Sequence, residues 1–336
     1  MQGSERFEVA LSSGVDVPNP LKFLPIVFAQ SGKQQLARIQ EISSEITENL
    51  DDVLQYNQGM QTALAVAYAV GLTVIHRARP ENAVRPARAL DLASGPGLYT
   101  LCLQNYLGYG KITGIDLSPV MVEVAQKNAQ EKKLEAQISF ELGDVSEMTQ
   151  MGDDFFDLTS FTDAAHHMPD LATVEKVISE MDRVTKPDGL VMVMDLARLR
   201  TAALTENYVS LLGADYLKMG LPYFFNQFRD SMYAAWTCSE LATAIPPNSR
   251  RVWCHLFSKE LPTLQIILGL QVGRQQAFLR KGYPWSPRDC PVPKKYRLDW
   301  FFAQFTLFSA TPKYTPAAKR AVSAGGIRAW HKRRGD

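Results

Sequence analysis

An α/β fold, built on a doubly wound and mostly parallel sheet, is what this sequence predicts, and three observations predict it. From about Arg88 to Asp195, short apolar runs alternate with segments of helical periodicity, the pattern of strand–helix units that stack side by side in a parallel sheet. The first run ends in "LDLASGPG" (Leu90–Gly97), an acid followed by a glycine-rich turn and the start of a helical stretch. The next two runs also end in acids, Asp116 in "ITGIDLS" and Asp144 in "FELGDV". A sheet of this kind binds its ligands outside the carboxyl ends of its strands.

Taken in order, residues 1–30 carry several prolines and glycines with little periodicity and read as irregular. Lys33–Leu50 and Asp51–Ala78 read as two helices. Ala63, Leu64, Val66, Ala67, Val70 and Val74 give the second an apolar stripe, and Pro80 ends it. Strands are expected at Ala89–Ala93, Lys111–Asp116, Ile138–Leu142, Phe155–Phe161 and Leu190–Asp195, with helices at Leu98–Leu107, Pro119–Glu131 and Ala172–Val184. Beyond Asp195 the alternation stops. Thr201–Tyr233 reads as helical and aromatic-rich, and "TCSE" (Thr237–Glu240) is a capping box that opens another helix. Leu264–Leu270 and Phe301–Ala310 read as late strands forming an antiparallel pair, with a proline-rich loop, Lys281–Lys295, between them. The expected organisation is a helical cap (1–80), a core binding domain (81–200), a helical lid over the substrate (201–250), completion of the core sheet with an antiparallel last strand (251–312), and a flexible basic tail (313–336).

With 46% hydrophobic and 21% charged residues among 336 and a formal net charge of +1, the composition is that of a globular protein with ample material for a core and no basic or acidic signature overall. Cys102, Cys238, Cys254 and Cys290 are scattered and form no CxxC pair, which points to neither a zinc site nor a disulfide framework and favours a reducing cytoplasm. No apolar run reaches the length of about 18 residues that a membrane helix needs. Phe23–Ala29 is short and broken by Pro25, so no signal peptide is expected. The final two dozen residues are locally basic, with Lys313, Lys319, Arg320, Arg328, Lys332, Arg333 and Arg334 facing Asp336 alone. A solvated tail is the plain reading and contact with an anionic partner the sharper one.

The ligand of the glycine turn decides the function. A dinucleotide fold wants GxGxxG with an acid about 20 positions on. Gly95, Gly97 and Asp116 meet part of that pattern, but Thr100 stands where the third glycine belongs. Asp91 just before the turn would also oppose a pyrophosphate. Three acids at three successive strand ends suit instead a nucleoside that carries an amino acid and positive charge, and S-adenosylmethionine is such a molecule. At these residues, and at "FDLTSFTDAAHHMPD" and "DRVTKPDGLVMVMD", the chain resembles the class I S-adenosylmethionine-dependent methyltransferases, in the small-molecule branch similar to ubiquinone- and menaquinone-biosynthesis enzymes. The resemblance covers roughly Arg88–Asp195 and implies a Rossmann-like sheet. It implies that Asp91, Ala93, Ser94, Gly95 and Gly97 shape the methionine end of the cofactor site. Asp116 would hold the ribose, with Leu117 beside the adenine and Asp144 and Val145 touching it. Thr162 to His167 would face the methyl group and the acceptor. Ala93 stands where the family usually has glycine, and "KPDG" replaces "KPGG".

His166, His167 and Asp163 are the candidate catalytic bases, histidine being suited to proton removal near neutral pH. Packing of the turn is the alternative role for the histidines. The His pair with Asp163 has no recognisable ligand spacing, and no metal is expected. Tyr56 and Asn57 on the N-terminal helices are candidate cofactor contacts. In the aromatic lid Tyr223, Phe228 and Arg229 are candidate substrate contacts, with Arg229 and Asp230 a candidate ion pair. The expected activity is transfer of a methyl group to an O, N, C or S nucleophile of a small, partly apolar metabolite. The expected partners are that small molecule and neither membrane nor nucleic acid, since no "NPPY"-like tetrapeptide follows strand four. A homodimer stays open, as do two alternative functions: methylation of RNA or protein, and a non-catalytic cofactor-binding subunit.

Overall fold

The computed structural model describes residues 20–41, 49–63, 65–78, 87–257, 263–274 and 313–314. Eight strands form one sheet: β1 (Arg88–Leu92), β2 (Lys111–Asp116), β3 (Ile138–Leu142), β4 (Phe156–Thr162), β5 (Thr185–Leu196), β6 (Val252–Phe257), β7 (Leu264–Leu270) and the two-residue β8 (Lys313–Tyr314). Their order is β3-β2-β1-β4-β5-β7-β6-β8. The first five pair in parallel, as in the registers Ala89↔Ile112 and Leu90↔Thr159. β7 runs antiparallel to both β5 and β6. The chain winds outward from β1 to β3, then returns to lay β4 on the other side of β1. That reversal opens a crevice outside the carboxyl ends of β1 and β4, and it lies at the motifs singled out above.

The sheet is covered on both faces, which is why its central strands are apolar throughout rather than alternating with polar residues. Along β5, Met192 and Met194 join one core with Leu98, Leu101, Ile112 and Leu268, whereas Val191 and Val193 join the other with Leu90, Leu92, Phe161 and Ile267. The period of two in a strand assigns them in this way. Each fully buried Val, Leu or Met contributes about 1.5–3 kcal/mol.

Nine α-helices are described: α1 (Leu24–Ala29), α2 (Leu50–Ala63), α3 (Ala65–Ala78), α4 (Leu98–Cys102), α5 (Pro119–Glu131), α6 (Leu171–Val184), α7 (Ala202–Lys218), α8 (Pro222–Ala234) and α9 (Cys238–Leu241). A single π-helical turn, Leu103–Leu107, extends α4. Ser118 caps α5 and Asp170 caps α6 through side-chain bonds to Met121 N and Thr173 N. The capping box at α9 is present: Glu240 N donates to Thr237 Oγ1 (3.2 Å) and Thr237 N to Glu240 Oε2 (2.8 Å). Thr237→Ala is expected to cost about 1 kcal/mol in denaturant unfolding. A change below about 0.3 kcal/mol would mean the helix end is held by packing alone.

Four expectations are corrected. The segment 20–29 is not irregular but forms a 3-10 turn and α1. Lys33–Glu41 is not helical; it has no regular secondary structure, and its amides bond to distant parts of the chain (Gln35 N and Leu36 N to Arg200 O, Ile39 N to Tyr233 O). Asp51–Ala78 is two helices, α2 and α3, not one. β6 is a strand that the sequence reading passed over, and the antiparallel β7 lies inside the sheet, between β5 and β6. Polar residues masked β6: buried Arg251 donates to Asp182 Oδ1 (2.8 Å) and to carbonyls of Thr185, Lys186 and Gly189, and His255 pairs with Gln265. The expected strand Phe301–Ala310, the loop Lys281–Lys295 and the tail beyond Tyr314 lie outside the described residues. No single helix among the described residues is long and apolar enough to cross a membrane.

Candidate active site

At the carboxyl end of β1 the chain turns through Ala93 (φ 49°), Gly95 (φ 51°) and Gly97 (φ 78°). Three left-handed residues in five make a tight loop, closed by Ser94 N donating to Ile115 O (2.9 Å) and Gly97 N to Ser94 O (2.9 Å). Phe140 of β3 props it from below: a Cβ on Gly97 would meet the Phe140 ring at 2.5 Å, and so would one on Gly114 of β2. Gly95 differs, since a Cβ there would meet nothing within 4 Å. Gly95 N donates to Asp116 Oδ2 (2.7 Å) and Ser118 N to Asp116 Oδ1 (2.9 Å). Burial raises the Asp116 pKa against these two bonds, yet its side chain keeps accessible surface. Beside it Leu117 and Leu142, at the carboxyl ends of β2 and β3, are 51% and 61% exposed. Leu142, the register partner of Asp116, was not among the sequence candidates; an apolar residue ending a strand carries no signal of its own. Asn128 of α5 donates to both Pro96 O (2.7 Å) and Asn57 Oδ1 (3.0 Å), so Asn57 and its neighbour Tyr56 on α2 are pinned over the turn.

Asp91 does not face this recess. Thr100 Oγ1 donates to its Oδ2 (2.6 Å) and Ser160 Oγ to its Oδ1 (2.7 Å), and the residue is fully buried. Burial raises its pKa to about 6 against those two bonds. Its carboxylate ties α4 and β4 to the turn from inside, and the residue that replaces the third glycine, Thr100, is one of its partners. Val145 likewise turns its side chain into the core with Leu92 and Ile115. Asp144 is exposed and accepts from Ser146 N (2.7 Å). Ser94 is partly buried, and its hydroxyl makes no hydrogen bond.

The second half of the site follows β4. Thr162 is buried at the strand end. Asp163 comes next with φ 50°, a left-handed conformation that a non-glycine residue adopts at a cost and most often at functional positions. Its Oδ2 is buried and has no hydrogen bond, while the residue as a whole is partly exposed. Burial, then the Asp195 carboxylate, push its pKa up to about 7 against the opposing pull of His166. Asp195 ends β5 fully buried; its Oδ1 lies 2.5 Å from His166 Nδ1 and accepts from Leu196 N, and its Oδ2 has no partner. For His166, burial works against the charged form, but Asp195 outweighs it and lifts the pKa to about 9. The His166 and His167 rings lie 4.1 Å apart between centroids.

Glu41 is the residue that sequence reasoning missed. Arg38 fastens the segment 33–41: its guanidinium donates to the carbonyls of Ala234 (2.7 Å), His166 (2.8 Å) and Met168 (2.8 Å) and lies 3.8 Å from the Trp236 ring centre. Glu41 Oε2 arrives 2.6 Å from His167 Nδ1, almost fully buried. Burial opposes its ionisation, but the His167 contact prevails and holds its pKa down at about 2. No local motif marks Glu41; the contact spans the whole cap.

The lid residues divide. Tyr216 and Phe224 are core, and Phe228 packs against Tyr208 and Tyr216. Tyr56 meets Phe224 at 5.7 Å between ring centres, and burial, then the charge of Asp163, raise its phenol. Tyr223 is half-buried and electrostatically coupled to Tyr56. Arg229 does not pair with Asp230; it is exposed and bound to Glu206 (2.8 Å). Its charge is already spent there, so it gives the site no polar handle.

Residues 90–193 match the family described as a methyltransferase domain. Over this stretch the chain carries a methyltransferase domain. Demethylmenaquinone methyltransferase of Leptospira interrogans is 30% identical to it over 111 residues, 33% of this chain and 43% of that protein. The uncharacterized methyltransferase YcgJ of Bacillus subtilis is 37% identical over 108 residues, 32% and 40% of the two. The chain thus spans less than half the length of the first curated relatives it matches. A solved SAM-dependent methyltransferase from Aquifex aeolicus is similar over 67% of this chain and 99% of that one, at 13% identity and a TM-score of 0.46. S-adenosylmethionine is the cofactor of the methyltransferase domain, and the recess fits it. The open face at Gly95, the accessible Asp116 carboxylate and the exposed Leu117 and Leu142 offer room, a hydroxyl acceptor and apolar surface for a base.

Proposed function

We propose that the protein is a small-molecule methyltransferase that uses S-adenosylmethionine and acts on an aromatic, quinol-like acceptor. The observation that carries this reading is the continuity of the two half-sites: the Asp116 recess at the end of β2 and the Asp163 cluster after β4 flank the end of β1, which lies between those strands, and both are linked to the same helix, α2, through Asn57 and Tyr56. Bound in the recess, S-adenosylmethionine supplies a methyl group already activated by the sulfonium, so the chain itself need only orient the acceptor, exclude water and take a proton. Asp116 would hold the ribose hydroxyls, Leu117 and Leu142 the adenine, and the unbonded Ser94 hydroxyl of the turn the amino-acid end.

On the acceptor side Tyr56 and Tyr223 supply aromatic surface, with Phe224 packed behind Tyr56, and Asp163 receives the proton of a hydroxyl or acidic carbon. Asp163 is favoured over the histidines on geometry: its Oδ2 has no hydrogen bond, whereas His166 Nδ1 is committed to Asp195 and His167 Nδ1 to Glu41. An aromatic acceptor also accords with the relatives named for demethylmenaquinone.

Titration calorimetry with S-adenosylmethionine and S-adenosylhomocysteine tests the reading. The wild type should bind both. Asp116→Ala should weaken binding by about 1–3 kcal/mol, roughly 5- to 150-fold. A wild type that binds neither, or a variant with unchanged affinity, overturns the assignment.

A further inference from the structure

We propose that Glu41, His166 and His167 form a binding site for a divalent first-row transition cation of the zinc type. Each residue offers one ligand atom, and the three atoms lie within 4.8 Å of one another. They come from opposite parts of the chain. The histidines sit on the 3-10 turn after β4, and Glu41 is carried to them by a strap whose Arg38 spends its bonds on the carbonyls of that same turn. The fold therefore brings a carboxylate, almost fully buried, against two imidazoles.

Three features go beyond an ordinary ion pair. First, His166 already has the carboxylate–imidazole support typical of a metal-bound histidine. Asp195 Oδ1 lies 2.5 Å from Nδ1, which fixes the ring and leaves Nε2 as the nitrogen for a ligand. Second, buried carboxylate oxygens around the imidazoles lack hydrogen bonds: Asp195 Oδ2, on a residue 0% exposed, and Asp163 Oδ2. Buried polar atoms are nearly always satisfied, and a group of orphaned carboxylate oxygens around two imidazoles is what a cation would account for. Third, the two imidazole rings are 4.1 Å apart between centroids, close enough to share one ion. The donor set also selects the ion. Two imidazoles and one carboxylate suit zinc and its neighbours, with positions left open, and do not suit magnesium or calcium, which want oxygen ligands.

The proposal departs from the sequence expectation of no metal at one residue: Glu41 takes the place of Asp163 as the third ligand. If the transferase reading holds, an open position on the ion would hold an acceptor oxygen. That role rests on the reading above, whereas ion binding does not.

The test uses the full chain, free of any affinity tag, stripped with a chelator and dialysed. Zinc is titrated calorimetrically, and bound metal is counted by atomic absorption. One equivalent per chain is expected. Glu41→Gln, which keeps size and shape, and His167→Ala should each lower affinity at least tenfold, and Asp195→Asn should lower it 10- to 100-fold. Cobalt substituted for zinc should give visible absorption that Glu41→Gln alters. S-adenosylmethionine binding by the stripped protein should persist, so failure here and failure of the transferase reading are separable. Less than stoichiometric zinc in the wild type, or full binding undiminished in Glu41→Gln, overturns the proposal.

Discussion

Asp163→Asn is expected to lower kcat by about 10²- to 10⁴-fold, the range for loss of a general base, with little change in the affinity for S-adenosylmethionine. The substitution is suited to the question because asparagine, like aspartate, tolerates the left-handed backbone found there (φ 50°), so the loop should keep its shape. The charged groups facing Asp163 are Asp195 on β5 and His166 on the following turn, with the phenols of Tyr56, Tyr68 and Tyr99 on the helices packed over it. Burial and Asp195 hold its pKa at about 7, against 3.8 for a free aspartate. As a base it works when ionised, so wild-type kcat should rise as pH increases through about 7 and level above it, and Asp163→Asn should lose that rise.

Stability gives an independent reading. The folded protein holds the Asp163 proton more tightly than the unfolded chain does. The stabilisation this proton gives is therefore complete below about pH 4 and is lost as pH rises through 7. Measured in metal-stripped protein, the wild type should lose stability across that window relative to Asp163→Asn. A variant that keeps wild-type kcat and its pH profile would remove Asp163 from the chemistry.

How far the site could be read from the sequence depended on how local each signal was. The turn Ala93–Gly97, Asp116 and the capping box at Thr237 are encoded within a few residues, and each stands where its pattern implies. Lys111–Asp116, Ile138–Leu142 and Pro119–Glu131 match their expected bounds to the residue because turn or capping residues flank strong periodicity. Glu41 has no such signature: its meaning comes from Arg38 reaching the carbonyls of His166 and Met168, a contact that no window of sequence contains. Asp91 was misread for a related reason. Its position next to the glycines suggested a ligand contact, but Thr100 and Ser160, nine positions and one strand away, claim both its oxygens. β6 escaped because Arg251 just before it and His255 within it bond to distant residues, Asp182 and Gln265.

The glycines of the turn are expected to separate folding from cofactor binding. Gly97→Ala should cost about 2–5 kcal/mol of stability. A left-handed backbone costs an alanine about 1–2 kcal/mol, and overpacking adds about 1–3 kcal/mol, because the new Cβ would lie 2.5 Å from Phe140 Cζ and 3.0 Å from Ala125 Cβ at φ 78°. Neither neighbour can yield easily: Phe140 is held by β3 and Ala125 by α5, and Gly97 itself starts α4, with its carbonyl accepting from Leu101 N (2.9 Å). If the Phe140 ring is the cause, removing it should relieve the strain. The double variant Gly97→Ala, Phe140→Ala should then be more stable than the sum of the two single losses predicts, by about 0.5–3 kcal/mol. Gly95→Ala makes the contrast. Its φ of 51° carries the same backbone cost, but the new Cβ meets no protein atom within 4 Å. It projects into the recess instead, so its main effect should be on S-adenosylmethionine affinity rather than on unfolding. Denaturant unfolding and calorimetry on the three variants decide the matter. Strict additivity in the double variant would acquit Phe140, and a Gly95→Ala protein that binds the cofactor as the wild type does would show that the ligand does not lie against this turn.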